Sequence, residues 1–192
     1  MPERNAKPTK RDELIDLASA LFYKQGYGAT GIKQIIETAG IAKGTFYSHF
    51  KSKEEVGLAW LKKRHTEWNA WLETRLGKDK NAHRNLVALF DFLENWMREC
   101  DFRGCAFLNT LAEVPDPESP MRREILAHKK DLQSKIQAMA AQHFDSKPPA
   151  YAKQKGTLIF LLFEGALVES QNFRDLSPIV SARKEVRALL TA

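Results

Sequence analysis

An all-α protein is what this sequence predicts, and three observations predict it. Apolar residues recur at three- and four-residue intervals almost from end to end. Strand signals, meaning short β-branched or aromatic runs alternating with polar residues, are nearly absent. The periodic stretches are also bounded by Gly, Pro and Ser at positions that start and stop helices. About nine helices account for the 192 residues, with no internal repeat and no low-complexity tract.

In order along the chain, "RDELIDLASALFYKQG" sets Leu14, Leu17, Ala18, Leu21 and Phe22 on one stripe and stops at Gly26. "GIKQIIETAG" repeats the pattern with Ile32, Ile35, Ile36 and Ala39 and stops at Gly40. "KGTFYSHF" is a very short helix with Phe46 and Phe50 four apart on one face. "SKEE" then forms a capping box, Ser52 with Glu55, opening a helix of about 24 residues, roughly 36 Å long. "GKDKNAHR" breaks it. "NLVALFDFLENWMREC" is apolar over much of its circumference and so central, and "GCAFLNTLAEV" is short, stopped by the prolines of "PDPESP". Two long helices follow, over about 119–144 with Ser119 as its N-cap and over about 151–173, separated by "SKPPA". "SPIVSARKEVRALL" closes the chain with a Ser-Pro start, a cap and a first-turn proline.

Composition narrows the function classes. The net charge is +6, which suits a polyanionic partner, but residues 1–55 hold nine Lys+Arg against seven Asp+Glu, so position matters more than total charge. No apolar run is long enough to span a bilayer, and "MPERNAKPTKRDE" lacks the apolar segment of a signal peptide; a cytoplasmic protein without membrane contact is expected. Cys100 and Cys105, with five scattered histidines, give no metal-ligand spacing, so neither a metal nor another cofactor is expected. Gly-x-Ser-x-Gly, His-Glu-x-x-His and phosphate-loop motifs are all missing, which argues against an enzyme.

The second and third helices are joined by "AGIA", where Gly40 can take a positive φ and let two helices meet steeply. That is helix-turn-helix geometry, with the third helix entering a major groove. Phe46 and Phe50 then point inward, against Leu17, Leu21 and Ile35, while Lys43, Thr45, Tyr47, Ser48 and His49 point out. Gly44 lets backbone approach DNA closely, and lysine, hydroxyl and helix N-terminal donors suit phosphate oxygens. A short amphipathic helix after a glycine is also an ordinary part of any helical bundle.

The stretch "LFYKQGYGATGIKQIIETAGIAKGTFYSHFKSKEEV" resembles the N-terminal domain of the TetR family of one-component transcriptional regulators. The resemblance is dense over residues 10–60, and the long connecting helix before a divergent helical region resembles the family's architecture. It implies that Lys43, Gly44, Thr45 and Ser48 sit where family members touch bases or adjacent phosphates. It further implies that Tyr47, His49 and Lys53 touch backbone, and that Thr30 and Lys33 meet phosphate at the start of the second helix. Gly31 and Ala42 depart from the family pattern, each lacking a hydroxyl usual there. The division implied is a DNA-binding domain over 1–52 and a ligand-sensing and dimerisation domain over 53–192.

"RGCAFLNTLAEVPDPESPMRREI" and "FEGAL" resemble a subgroup whose sixth helix starts Gly-Cys. In the family this region binds a small molecule. Trp68, Phe90, Trp96, Cys105, Phe107 and Phe163 are the candidate lining here, a set that serves equally as plain core. Cys105 is either an electrophile- or oxidant-responsive thiol or a small buried hydrophobe. The helices near 119–144 and 151–173 are expected to pair two copies through an intersubunit four-helix bundle. The resulting expectation is a homodimeric repressor, released from a pseudo-palindromic double-stranded operator by a small molecule or reactive electrophile. A small helical enzyme or carrier, and an activator or architectural protein without ligand, are the competing readings.

Overall fold

In the computed structural model, which describes residues 8–76 and 81–191, every regular element is a helix. They are α1 (Lys10–Gln25), α2 (Ile32–Ala39), α3 (Lys43–His49), α4 (Lys53–Leu76), α5 (Ala82–Glu99), α6 (Ala106–Glu113), α7 (Pro120–His143), α8 (Pro149–Phe173) and α9 (Ser177–Thr191). The expected break at "GKDKNAHR" falls partly on residues 77–80, outside the described residues.

Compactness groups the chain differently from the contiguous cut expected at 52/53. One unit comprises Met1–Arg64 with Ala106–Ile125, the other His65–Cys105 with Leu126–Ala192. α4 and α7 each contribute residues to both.

In the first unit, α1 begins at a capping box: Asp12 N–H donates to the Thr9 hydroxyl at 3.2 Å, and Thr9 N–H donates to the Asp12 carboxylate at 3.0 Å. Its buried face is Leu14, Ile15, Ala18 and Phe22, while Leu17 and Leu21 are only half-buried, so the core side is turned towards Ile15 relative to the expected stripe. α2 stops at Gly40, whose φ of 60° and ψ of 36° lie in the left-handed region that glycine adopts without a Cβ clash. At the start of α4 the Ser52 hydroxyl accepts the Glu55 N–H at 3.1 Å, as expected. The Glu55 carboxylate, however, accepts the N–H of Lys51 at 2.7 Å rather than that of Ser52.

In the second unit, α5 is central: Leu86, Leu89, Phe90, Phe92, Leu93, Trp96 and Met97 are all buried. α8 begins at Pro149, two residues earlier than the sequence spacing indicates, because a proline in the first turn gives up only an N–H that would have no helical partner. α9 takes its cap from Asp175, whose carboxylate accepts the Ser177 N–H at 2.6 Å, and Ser177 is its first residue rather than its cap.

The large apolar side chains left exposed are unevenly shared among the last three helices. Leu126 is the large exposed hydrophobic of α7, whereas α8 exposes Leu158, Leu161, Val168 and Phe173, and α9 exposes Val180. α7 instead buries Leu132, Ile136 and Ala140 within its unit. Gly156 of α8 permits a close approach to α7: a Cβ there would lie 3.1 Å from both Ala140 Cβ and Gln137 Cα. Gly165 faces open space.

Candidate nucleic-acid interface

α3 is seven residues long, too short to be stable alone, and is held by its two phenylalanines. Phe46 and Phe50 are 0% and 1% exposed, their rings 6.0 Å apart, with Ile35 of α2 fully buried in the same unit. The Arg11 guanidinium lies 4.6 Å from the Phe50 ring, a contact between α1 and the end of α3 that the spacing did not signal.

With that face inward, Lys43, Gly44, Tyr47 and Ser48 are exposed and Thr45 and His49 half-buried. A Cβ on Gly44 would meet nothing within 4 Å, so the backbone there is open to a close partner. The Lys43 ammonium lies 5.9 Å from the Tyr47 ring. Ser48 donates its hydroxyl proton to the Thr45 carbonyl at 2.8 Å, which leaves its lone pairs outward as acceptors, the complement of base amino groups. Neither Gly31 nor Ala42, the N-cap residues of α2 and α3, supplies a side-chain cap, so the first-turn N–H groups of both helices lack a side-chain acceptor. Lys33 is 89% exposed and makes a surface ion pair with Glu37 at 3.7 Å.

Two of the expected contact residues turn inward instead. Thr30 is fully buried; its hydroxyl donates to the Gly26 carbonyl at 2.7 Å and accepts from Gln25 Nε2 at 3.0 Å, so it braces the loop before α2. Lys53 is half-buried, donates to the Gly28 carbonyl at 3.2 Å and sits 4.3 Å from the Tyr27 ring. Burial pushes its pKa below the ordinary lysine value, against the opposing pull of Glu113.

The six residues expected to line a ligand site are all buried, in separate groups. Phe107 belongs to the first unit. In the second, Phe90 and Phe163 meet edge to face at 5.9 Å, and Trp68 and Trp96 meet at 5.9 Å beside Phe92. The indole N–H groups of Trp68 and Trp96 are buried without an acceptor. Cys105 lies 3.8 Å from the Lys129 ammonium, which is paired with Glu164 at 2.7 Å. Burial disfavours the Lys129 charge, yet the Cys105 sulfur and the Glu164 carboxylate together hold its pKa above the ordinary lysine value.

Lys129 and Glu164 escaped the sequence reading. A lone acid inside "LIFLLFEGALV" was the available signal that a buried cation must face it. A second polar group joins His65 Nδ1 to His128 Nδ1 at 3.1 Å, with Asn69, Asp131 and Lys135 alongside. Among the described residues, no group of three or more His, Cys, Asp or Glu is placed to hold a metal, and no helix is long and apolar enough to cross a membrane.

A short, outward-turned helix behind a glycine turn, braced by a buried aromatic pair, defines a helix-turn-helix head on an all-helical body. Comparison with known proteins agrees. Residues 14–59 match the family model for bacterial regulatory proteins of the tetR family, and residues 82–186 match the tetracyclin repressor-like C-terminal domain. The HTH-type transcriptional repressor NemR of Escherichia coli is 23% identical over 189 residues, covering 94% of this chain and 93% of that protein. KstR2 of Mycolicibacterium smegmatis, also an HTH-type transcriptional repressor, is 43% identical over 56 residues, covering 29% of this chain and 27% of its own length. The crystal structure of a TetR-family transcriptional regulator from Streptomyces coelicolor superposes with a TM-score of 0.85 at 28% identity, covering 94% of this chain and 88% of that one. The chain belongs to the TetR family of bacterial regulatory proteins: it is a DNA-binding transcriptional regulator, not an enzyme.

Proposed function

We propose that the protein is a homodimeric cytoplasmic repressor that leaves a pseudo-palindromic operator when a small molecule or reactive electrophile binds. In functional terms residues 1–52 read DNA, and 53–192 sense the effector and dimerise. The observation that carries this reading is the exposed face of α3, Lys43, Gly44, Tyr47 and Ser48, standing on a fully buried Phe46. Thr45 and Ser48 address base edges, Lys43 and Tyr47 the strand beside them, and His49 and Lys33 the flanking phosphates. Thr30 and Lys53 support these contacts from within the head.

The test is selection of bound duplexes from a random pool, followed by affinity titration across salt. Lys43→Ala is expected to weaken binding and lower the salt slope by about one phosphate contact. Tyr47→Ala is expected to weaken binding across all sequences with the slope unchanged. Wild-type affinity in both variants would remove α3 from the groove.

The effector belongs in the second unit, among Trp68, Phe90, Trp96, Cys105 and Phe163, while Phe107 belongs to the core of the first. Unpaired indole donors at Trp68 and Trp96 favour a ligand carrying hydrogen-bond acceptors, since a buried donor left unmade costs about 1–3 kcal/mol. Cys105, 3.8 Å from the Lys129 ammonium, is the sulfur that a reactive electrophile would address.

Dimerisation is assigned to α8 with α9. Leu158, Leu161, Gly165 and Val168 are exposed at alternating spacings of three and four, the pattern of a helix–helix seam. Leu161, 58% exposed, is its most open side chain, so Leu161→Glu is expected to give monomers by light scattering and to weaken operator binding with it. A dimeric Leu161→Glu variant would place the interface elsewhere.

A further inference from the structure

The loop between α1 and α2, "GYGAT", is gripped from outside the three-helix head. Glu113, the last residue of α6, reaches across 85 positions of sequence, and its carboxylate accepts the N–H of Gly28. It docks where the loop has no side chains: a Cβ on Gly26 would come within 2.9 Å of Glu113 Oε1, and one on Gly28 within 3.1 Å of Oε2. Gly26 has a φ of 102°, so the notch needs glycine there on conformational grounds as well. Tyr27, between them, packs its ring on Phe22 at 5.2 Å.

The same glycine is held from its other side. Its carbonyl accepts from Lys53 Nζ at 3.2 Å, so both backbone polar groups of Gly28 are fixed, one by α6 and one by α4. The Glu113 charge supports the Lys53 ammonium that burial disfavours. Two residues further on, Thr30 is buried and α2 begins at Ile32. The placement of Gly28 therefore sets the start of α2 and, through the Gly40 turn, the presentation of α3. Nearby, Ser119, whose hydroxyl caps α7, donates to Glu54 of α4 at 2.6 Å. Residues 106–125 thus grip the head twice, and no residue in that stretch was among the expected DNA contacts.

We propose that Glu113 is a positioning residue for DNA recognition, fixing α2 and α3 against α4 through the Gly28 N–H without touching DNA. The proposal rests on the DNA-binding reading of α3. It makes the alignment of the head answer to the placement of α6, a helix that begins immediately after Cys105.

The experiment uses the full chain and the duplex that the wild type enriches from a random pool, with affinity read by fluorescence anisotropy well below the unfolding midpoint. Glu113→Ala is expected to lose about tenfold in affinity, the scale of one charge-assisted hydrogen bond, with helix content unchanged. Glu113→Gln keeps an acceptor oxygen for Gly28 and is expected to stay within about threefold of wild type. Gly28→Ala drives a Cβ against the carboxylate and is expected to reproduce the loss. Added to Glu113→Ala it should change little, because the two share one contact. Should Glu113→Ala fail to fold, Gly28→Ala alone carries the test. Wild-type affinity in Glu113→Ala, or in Gly28→Ala, overturns the proposal, as does Gln behaving like Ala. If the wild type enriches no duplex, the DNA-binding reading falls first and the proposal with it.

Discussion

Replacing Phe46 with alanine is expected to abolish operator binding, although the ring faces away from DNA. Phe46 is 0% exposed and packs against the rings of Phe50, at 6.0 Å, and Tyr47, at 5.3 Å. Truncating a buried phenylalanine to alanine typically costs about 3–5 kcal/mol, the sum of lost transfer energy and an unfilled cavity. A seven-residue helix cannot absorb that loss, because nearly all its stability comes from the face it buries. The outcome is local: α2 and α3 lose amide protection in hydrogen exchange, while α5 and α8 keep theirs, since their cores are Leu89, Phe90, Ile159 and Phe163. Phe46→Leu should recover most of the binding by refilling the volume. A Phe46→Ala protein with wild-type affinity would mean that the aromatic pair does not hold the reading helix in place.

This prediction rests on a pattern the sequence makes plain. Phe46 and Phe50 four apart, flanked by Lys, Gly, Thr and Ser, fix which way α3 faces, because a helix has only two sides to choose between. The same logic places the buried side of α5 and the ends of α2. Residues at helix starts are harder to place. Thr30 and Lys53 stand where phosphate contacts are expected, yet the loop before α2 folds back and takes both side chains for its own carbonyls, at Gly26 and Gly28. Spacing reports which turn of a helix a residue occupies. It does not report whether a neighbouring loop offers a closer acceptor.

Long-range polar pairs were illegible for a related reason. "HKK" inside an amphipathic helix reads as a solvated run, and only packing reveals that Lys129 faces Glu164 and Cys105. Glu113, at the end of α6, reads as an ordinary exposed acid until the two glycines 85 or so residues earlier are seen to accommodate it. Exposure of apolar side chains is the third kind of gap: α7 and α8 both look apolar in sequence, but α7 buries Leu132, Ile136 and Ala140, whereas α8 leaves Leu158, Leu161 and Val168 open.

Acidification should destabilise the second unit through His128. This imidazole is 2% exposed, edge-on to Trp68 at 4.9 Å and 3.1 Å from His65 Nδ1. Burial first, then the charges of Lys129 and His65, push its pKa from the ordinary 6.5 down to about 3; Asp131 opposes them and Lys135 adds to them. It is therefore neutral in the folded protein throughout the physiological range. Above pH 6.5 neither folded nor unfolded chain protonates it, and it contributes no pH dependence. Below 6.5 the unfolded chain takes up a proton that the folded one refuses, so stability falls as pH falls, by about 1.4 kcal/mol per pH unit until the folded pKa is reached. Between pH 7.5 and 5.5 the unfolding midpoint should drop by on the order of 4 °C from this group. His128→Phe keeps an aromatic ring against Trp68 and removes the titration, so its midpoint should vary less over the same window. The slope, rather than the midpoint at any one pH, is the readout, because the substitution also breaks the hydrogen bond to His65. Equal slopes in the two proteins would show that the acid sensitivity resides in other groups.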